Sequence, residues 1–301
     1  MTQTTRETAN RVSDGFESGF MERDWESQIK NCDDYVLTPL FLELLSAHQP
    51  VLEAGCGSGR WMHFFKRHGI QATGVDWSPV LQQRSLHFDP AIPFDTGDLR
   101  NLPYPDGAFG AVIALGSPEH VIEGPRQIFR EFYRVLRPGG VALVTVPYFS
   151  LLRSVAFRLG YEPVRRLKRS IFLRRLAGKP PAQPGNPVPR ADVVKQRYRP
   201  DVYLEVDFEG YFFQYEFTKR QISGELELAG FTTEKLFGFD AETGLIITLG
   251  RLVGRYDNQK YRGKMNPLGK LLLRLLSPDQ VGHMVCCVVR KPLPTAAKPA
   301  Q

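Results

Sequence analysis

Cysteine is scarce: Cys32, Cys56, Cys286 and Cys287 are the only four in 301 residues. Two are adjacent and the remaining spacings match no zinc or iron–sulfur pattern, so neither a disulfide scaffold nor a metal site is expected, and a reducing, cytoplasmic setting fits. No apolar run reaches the roughly 18 uncharged residues that a membrane span requires. The start of the chain, MTQTTRETANR, is polar and lacks the apolar stretch of a signal peptide. Export and integral membrane insertion are therefore not expected. No segment repeats at a period of roughly 20 to 50 residues, which sets aside solenoids and propellers.

What is present is an ordinary globular composition, 42 % hydrophobic, 24 % charged and 11 % aromatic, long enough for one large domain or one domain with sizeable insertions. The net charge of +7 is unevenly spread. Residues 151–200 hold thirteen Lys or Arg against Glu162 and Asp192, a local +11 that leaves −4 for the rest. Such a patch suits an anionic partner, whether lipid surface, acidic substrate or nucleic acid; a merely solvated basic face is the plainer alternative.

Hydrophobic patterning places helices at 35–47, 58–68, 78–88 and 124–136, and strands at 50–54, 71–76, 92–95, 109–115 and 140–147. Strands alternating with helices imply βαβ units and a parallel sheet covered on both faces. Beyond Pro147 the chain turns basic and runs into KPPAQPGNPVPR, which cannot continue a helix. The aromatic stretch 202–217 reads as strand, 218–229 as a helix closed by Gly230, and 231–237 and 283–290 as the last two strands. The expected division is an N-terminal helical segment 1–47, a core 48–148, a basic insertion 149–200, the remainder of the core 201–239, a second insertion 240–281, the last strand 282–291 and a tail 292–301.

The first strand ends in VLEAGCGSGR, which puts Gly55, Gly57 and Gly59 in a strand-to-helix turn. There, glycine allows positive φ and close approach of a ligand, while amides at the helix start bind a carboxylate or phosphate. The dinucleotide fingerprint G-x-G-x-x-G requires glycine where this chain has Arg60; the spacing here is G-x-G-x-G, which disfavours a nicotinamide-dependent dehydrogenase. Asp76, in GVDWSP at the end of the second strand, can accept both hydroxyls of a ribose; otherwise it caps the next helix beside Ser78. In GDLRNLPYPDGAF, Asp98 is placed to accept an adenine amine while the Leu99 amide meets a ring nitrogen.

With EFYRVLRPGGVALVTVP, these segments resemble in order the class I S-adenosylmethionine-dependent methyltransferases, particularly the small-molecule group that includes ubiquinone/menaquinone-type enzymes. The resemblance spans roughly 48–148, with 218–237 and 283–290 also fitting. It implies an α/β Rossmann-like fold with a seven-stranded, mostly parallel sheet, a final antiparallel strand, helices on both faces and a helical substrate cap. S-adenosylmethionine is the implied cofactor. By resemblance Glu53 and the three glycines line its methionine side, Asp76 holds the ribose, Asp98 and Leu99 hold the adenine, and Leu115 and Gly116 lie against the sulfonium. One departure is Gly110, where the family pattern has Asp after Phe109; a small adjustment of the strand is expected there.

Methyl transfer from a sulfonium is an in-line displacement, so catalysis is mostly positioning. If the nucleophile is a hydroxyl or an activated carbon a base helps, and Glu119 and His120 in LGSPEHV follow the fourth strand; the alternative is that they cap the next helix or brace the loop. The Asn/Asp-Pro-Pro-Tyr run of base amino-methyltransferases is missing, the chain having Gly116-Ser117-Pro118-Glu119, and no cysteine lies where a cytosine C5 enzyme needs its nucleophile. Nucleic acid is thus a disfavoured partner. The expected function is methyl transfer at oxygen or carbon of a small-molecule or lipid-like acceptor by a cytoplasmic enzyme. The alternatives are a non-catalytic cofactor-binding scaffold and a nucleic-acid methyltransferase using the basic insertion. Leu151, Leu152, Val155, Ala156 and Leu159 form a helical stripe beside the basic run, and LGKLLLRLLS is a second basic apolar stretch. Both make peripheral contact at the inner membrane surface an open expectation. The aromatic run through Tyr203, Phe208, Tyr211, Phe212, Phe213, Tyr215 and Phe217, and Trp61 near the glycine turn, are read as packing.

Overall fold

The computed structural model describes residues 24–159, 186–187, 199–204, 210–257 and 262–294. Two helices open it. Helix α1 (Trp25–Asp33) begins at Asp24, whose carboxylate accepts from the Ser27 amide and satisfies one of the unpaired N–H groups of a helix start. Helix α2 (Thr38–Ala47) turns Phe41 and Leu45 wholly inward. From 35–47 the sequence predicts one helix; the structure delays it to Thr38 and adds α1, whose inward residues Ile29 and Cys32 are too few to mark a periodic stripe.

Strand and helix then alternate as expected: β1 (Val51–Ala54), α3 (Arg60–Arg67), β2 (Ala72–Asp76), α4 (Pro79–Phe88), β3 (Phe94–Thr96), β4 (Phe109–Leu115), α5 (Arg126–Val135) and β5 (Leu136–Pro147). Helix α6 (Leu151–Arg158) follows. Among the described residues the short strand β6 (Asn186–Pro187) follows, then β7 (Arg199–Leu204), β8 (Gly210–Glu216), α7 (Lys219–Leu228) and β9 (Thr232–Phe239). The chain continues through α8 (Ala241–Leu249), the hairpin β10 (Gly254–Asp257) and β11 (Arg262–Met265), α9 (Pro267–Leu275), α10 (Pro278–Val281) and β12 (Met284–Arg290).

Seven strands form one sheet in the order β3-β2-β1-β4-β5-β12-β9. Neighbours from β3 to β5 run parallel, and β12 lies antiparallel between β5 and β9. Its strands are apolar along nearly their whole length because both faces are covered. One face buries Leu52, Val112 and Val144 against α5 and α7 through Phe129, Phe132, Ile222 and Leu226. The other buries Val51, Ile113 and Leu143 against α1, α2 and α3 through Ile29, Phe41, Trp61 and Phe65. Adjacent Cys286 and Cys287 belong one to each face, since successive strand side chains point opposite ways. All four thiols are free and buried, and burial pushes Cys286 up to about 12.

Gly110 has a packing reason. A Cβ there would strike the His48 carbonyl oxygen and lie 2.7 Å from its carbon, because the α2–β1 connection crosses directly over β4. The Gly110 amide donates to Pro50 O at 2.8 Å, fixing that crossing.

The aromatic stretch 202–217 is not one strand of the core. It divides into β7 and β8, paired antiparallel in a separate three-stranded sheet ordered β6-β8-β7. In the main sheet β12 occupies the side of β5 that β4 leaves free; an isolated bridge, Tyr148 to Phe217, marks where the two sheets touch. Within 201–239, β9 joins the main sheet and α7 covers one of its faces, while the end of β8 packs onto the same core. Tyr215 and Phe217 are fully buried in the main core, as packing residues should be. The side chains of Tyr203, Phe208, Tyr211, Phe212 and Phe213 lie outside the described residues, as does most of the basic insertion.

The two expected insertions share a small core. Leu245 and Ile246 of α8, Val253 and Val281 are buried together, with Leu152 of α6 and Leu272, Leu273 and Leu276 packed against them. This cap stands where β5 and β9 end. The stripe read at 151–159 is accordingly split: Leu152 faces the cap core, while Leu151, Val155 and Leu159 are exposed.

Candidate functional site

At the carboxyl end of β1 the chain turns through Gly55, Gly57 and Gly59 with φ of 75°, 55° and 81°. A side chain at Gly55 would also collide with Ser117, coming within 2.7 Å of its Oγ. The turn is tied to β2. The amides of Gly55 and Cys56 donate to Val75 O at 2.8 and 3.1 Å, and the Gly57 amide donates to Asp76 Oδ2 at 2.8 Å. Asp76 is 5 % exposed, and its Oδ1 accepts from the Ser78 amide at 3.1 Å. Ser78 itself caps α4, accepting from Leu81, so Asp76 is not the cap.

Glu53, one residue before the end of β1, is 3 % exposed and its Oε2 has no hydrogen-bond partner among the described residues. Burial raises its carboxyl from the ordinary 4.5 to about 8, against the pull of Arg60 and with the help of Asp76. Arg60, read from sequence only as a break in a dinucleotide pattern, is thus the cation beside the site. Two more residues had no signal in sequence. Gln28 of α1 accepts from Ser58 Oγ at 3.3 Å and places that helix over the glycine turn. Ser117 Oγ donates to Ala54 O at 2.9 Å, fastening the loop after β4 to the end of β1.

Leu99 stands beside the turn, 3.6 Å from the Cβ position of Gly55. Asp98 is exposed and forked by Arg100, with Nε at 3.1 and 3.0 Å and a terminal nitrogen at 2.8 Å. That contact holds its carboxyl below the usual range. Leu115 ends β4, and Gly116 follows with φ of 71°. Glu119 and His120 lie in a single 3₁₀ turn, Pro118–His120. Neither caps α5, whose N-cap residue is Pro125 and which has no side-chain cap bond. Glu119 is 2 % exposed with Oε2 unpartnered among the described residues, its Oε1 is 3.4 Å from where a Cβ of Gly116 would be, and burial lifts it to about 8. From the separate hairpin, Tyr215 donates its hydroxyl to Ile122 O at 2.7 Å, roofing this loop.

Every one of these groups is at the end of the sheet where the parallel strands finish, the usual ligand edge of such folds. The positive-φ turn, a buried carboxyl with one unpartnered oxygen and a second carboxylate anchored by amides make a cradle that fits an amino-acid-bearing nucleoside. Among the described residues no cluster of His, Cys, Asp or Glu is arranged to hold a metal ion. No helix among them is long and apolar enough to cross a membrane.

The geometry defines a nucleoside-binding α/β domain, and comparison with known proteins gives its kind. Residues 52–144 match the family described as "Methyltransferase domain". Norajmaline N-methyltransferase of Rauvolfia serpentina is 34 % identical over 101 residues, 31 % of this chain and 34 % of that protein. Malonyl-[acyl-carrier protein] O-methyltransferase of Pectobacterium atrosepticum is 31 % identical over 102 residues, 33 % of this chain and 40 % of that protein. The chain therefore spans between a third and two fifths of the length of these relatives. The PH0226 protein of Pyrococcus horikoshii OT3 superposes with a TM-score of 0.51 at 18 % identity, covering 90 % of this chain and 92 % of that one, a likeness of fold. Residues 52–144 are a class I S-adenosylmethionine-dependent methyltransferase domain, and S-adenosylmethionine is the cofactor of that class.

Proposed function

We propose that the chain is an enzyme that methylates a small-molecule or lipid-like acceptor at oxygen or carbon. Glu53 and Gly55, Gly57 and Gly59 take the methionine end of the cofactor, Asp76 the ribose, Asp98 and Leu99 the adenine, and Leu115 and Gly116 face the reacting side. S-adenosylmethionine supplies an electrophilic methyl group. The observation that carries the reading is Glu119, a buried carboxyl titrating near 8 beside Gly116 and one short turn from Ser117, which touches the glycine turn. A group of that kind exchanges a proton with a hydroxyl or an acidic carbon near neutrality. His120, next in the same turn, is the second candidate base.

The relatives that match divide between nitrogen and oxygen acceptors by their names. A hydroxyl or an activated carbon must give up a proton as it attacks the methyl group, and a buried carboxyl at this place can take it, which supports oxygen or carbon as the acceptor. On this reading the core is 48–148, completed by α7, β9 and β12, with the cap of α6, α8 and α9 walling the acceptor side; most of the segment 149–200 lies outside the described residues. Calorimetry with S-adenosylmethionine, S-adenosylhomocysteine and NAD tests the cofactor half. Micromolar binding of the two sulfur compounds, lost in Asp76→Ala and absent for NAD, supports it; a folded protein binding neither overturns it in favour of a scaffold. Turnover with hydrophobic phenols, quinones and lipids then tests the acceptor class.

A further inference from the structure

Helix α9 presents two kinds of surface. Leu272, Leu273 and Leu276, just past its end, pack against the cap core, and Gly269 is buried against the Val253 backbone. On the outward side Leu268, Leu271 and Leu275 remain 49 %, 50 % and 68 % exposed. Their i, i+3, i+7 spacing puts them in one stripe along the helix. Lys270 and Arg274, spaced i, i+4, line its flank, and both are exposed. The neighbouring chain extends the pattern with Leu252, 69 % exposed, and with exposed Arg251, Arg255 and Lys264. Over 251–275 the sequence has seven Lys or Arg against Asp257 alone.

Uncovered leucines edged by cations are what an interfacial helix offers a bilayer: acyl chains receive the apolar stripe while anionic headgroups meet the basic flank. A second copy of this chain fits less well, because a two-fold interface on this face would bring its cations against themselves. We propose that α9, with Leu252 and the basic residues around it, docks the protein onto a membrane surface containing anionic lipid. The proposal does not depend on the methyl-transfer reading, since lipid binding is measured without cofactor or acceptor.

The test uses the full chain in sedimentation with phosphatidylcholine vesicles, alone or with phosphatidylglycerol. Expected is binding to the anionic vesicles about tenfold or more tighter than to neutral ones, weakened by salt. The triple variant Leu268→Ser, Leu271→Ser, Leu275→Ser and the double variant Lys270→Glu, Arg274→Glu should each lose about tenfold or more of that binding. All five side chains are exposed, so both variants should keep the native circular dichroism and unfolding midpoint. Absence of vesicle binding overturns the proposal. So does binding undiminished in both variants, which would place the contact elsewhere in the chain, or a dimer in sedimentation velocity that the leucine variant alone dissolves.

Discussion

From β3 to β4 the sheet is parallel, and its strand ends pass into turns held by amides and carboxylates: Val75 O and Asp76 bind the glycine turn, and Ser117 binds Ala54. From β5 to β9 it is antiparallel on both sides of β12, and the strand ends pass into a cap held by leucine and valine. The difference separates two uses of buried surface. On the parallel side polar atoms are buried short of partners, as at Glu53 and Glu119, an arrangement that is costly unless a ligand completes it. The antiparallel side is mainly apolar packing, beside the buried ion pair of Arg153 with Glu216, and its exposed remainder lies on α6 and α9.

The sharpest test of that separation is Gly57→Val. A β-branched residue at φ 55° disrupts the turn and its bond to Asp76, so cofactor binding should vanish in calorimetry while the fold persists. Its counterpart in the cap is Gly244→Ala, where a Cβ would strike the Val281 carbonyl oxygen. Overpacking there should cost about 3 kcal/mol in denaturant unfolding. Cofactor affinity should not change; a fall as large as that of Gly57→Val would break the comparison. Asp76→Ala should weaken S-adenosylmethionine by about 1–3 kcal/mol.

Glu119→Gln acts through pH. Below the ordinary 4.5 the carboxyl is protonated in both folded and unfolded chains; between there and about 8 only the unfolded chain releases its proton. Folding therefore loses stability as pH rises through that window, and glutamine, with no proton to release, does not. The midpoint of the variant should gain a few degrees on the native protein between pH 5 and pH 8 in thermal scans. Turnover with an oxygen or carbon acceptor should lose its rise toward pH 8. The smallest effect is expected of Asp98→Ala, under about 1 kcal/mol in cofactor affinity, because that carboxylate is exposed and already forked by Arg100.

Legibility in sequence followed the same division. The alternation from Val51 to Pro147, the turn at Gly55–Gly59 and the position of Asp76 can be read directly, because short-range rules of strand, glycine and carboxylate set them. Burial of Glu119 could not, since it depends on a hairpin more than ninety residues downstream whose Tyr215 closes over Ile122. The split of 202–217 was hidden for a like reason: its aromatic residues suit any strand, and which sheet takes them is set by the pairing of β8 with β6 and β7, which local pattern does not encode. Nor does helical periodicity tell that Leu152 and Leu245, so far apart in the chain, share one core.

The place of β12 between β5 and β9 also bears on how the protein is made. Strand β5 is complete at Pro147, yet the partner on its open side begins at Met284, and β9 waits for the same strand. While 148–283 are being synthesised, the nascent sheet has an apolar edge of unpaired backbone, the kind of surface on which chaperones and stray strands compete. Chains cut before β12 should therefore be recovered as aggregates rather than as smaller folded proteins, and productive folding should begin only when the final strand is free to slide between the other two.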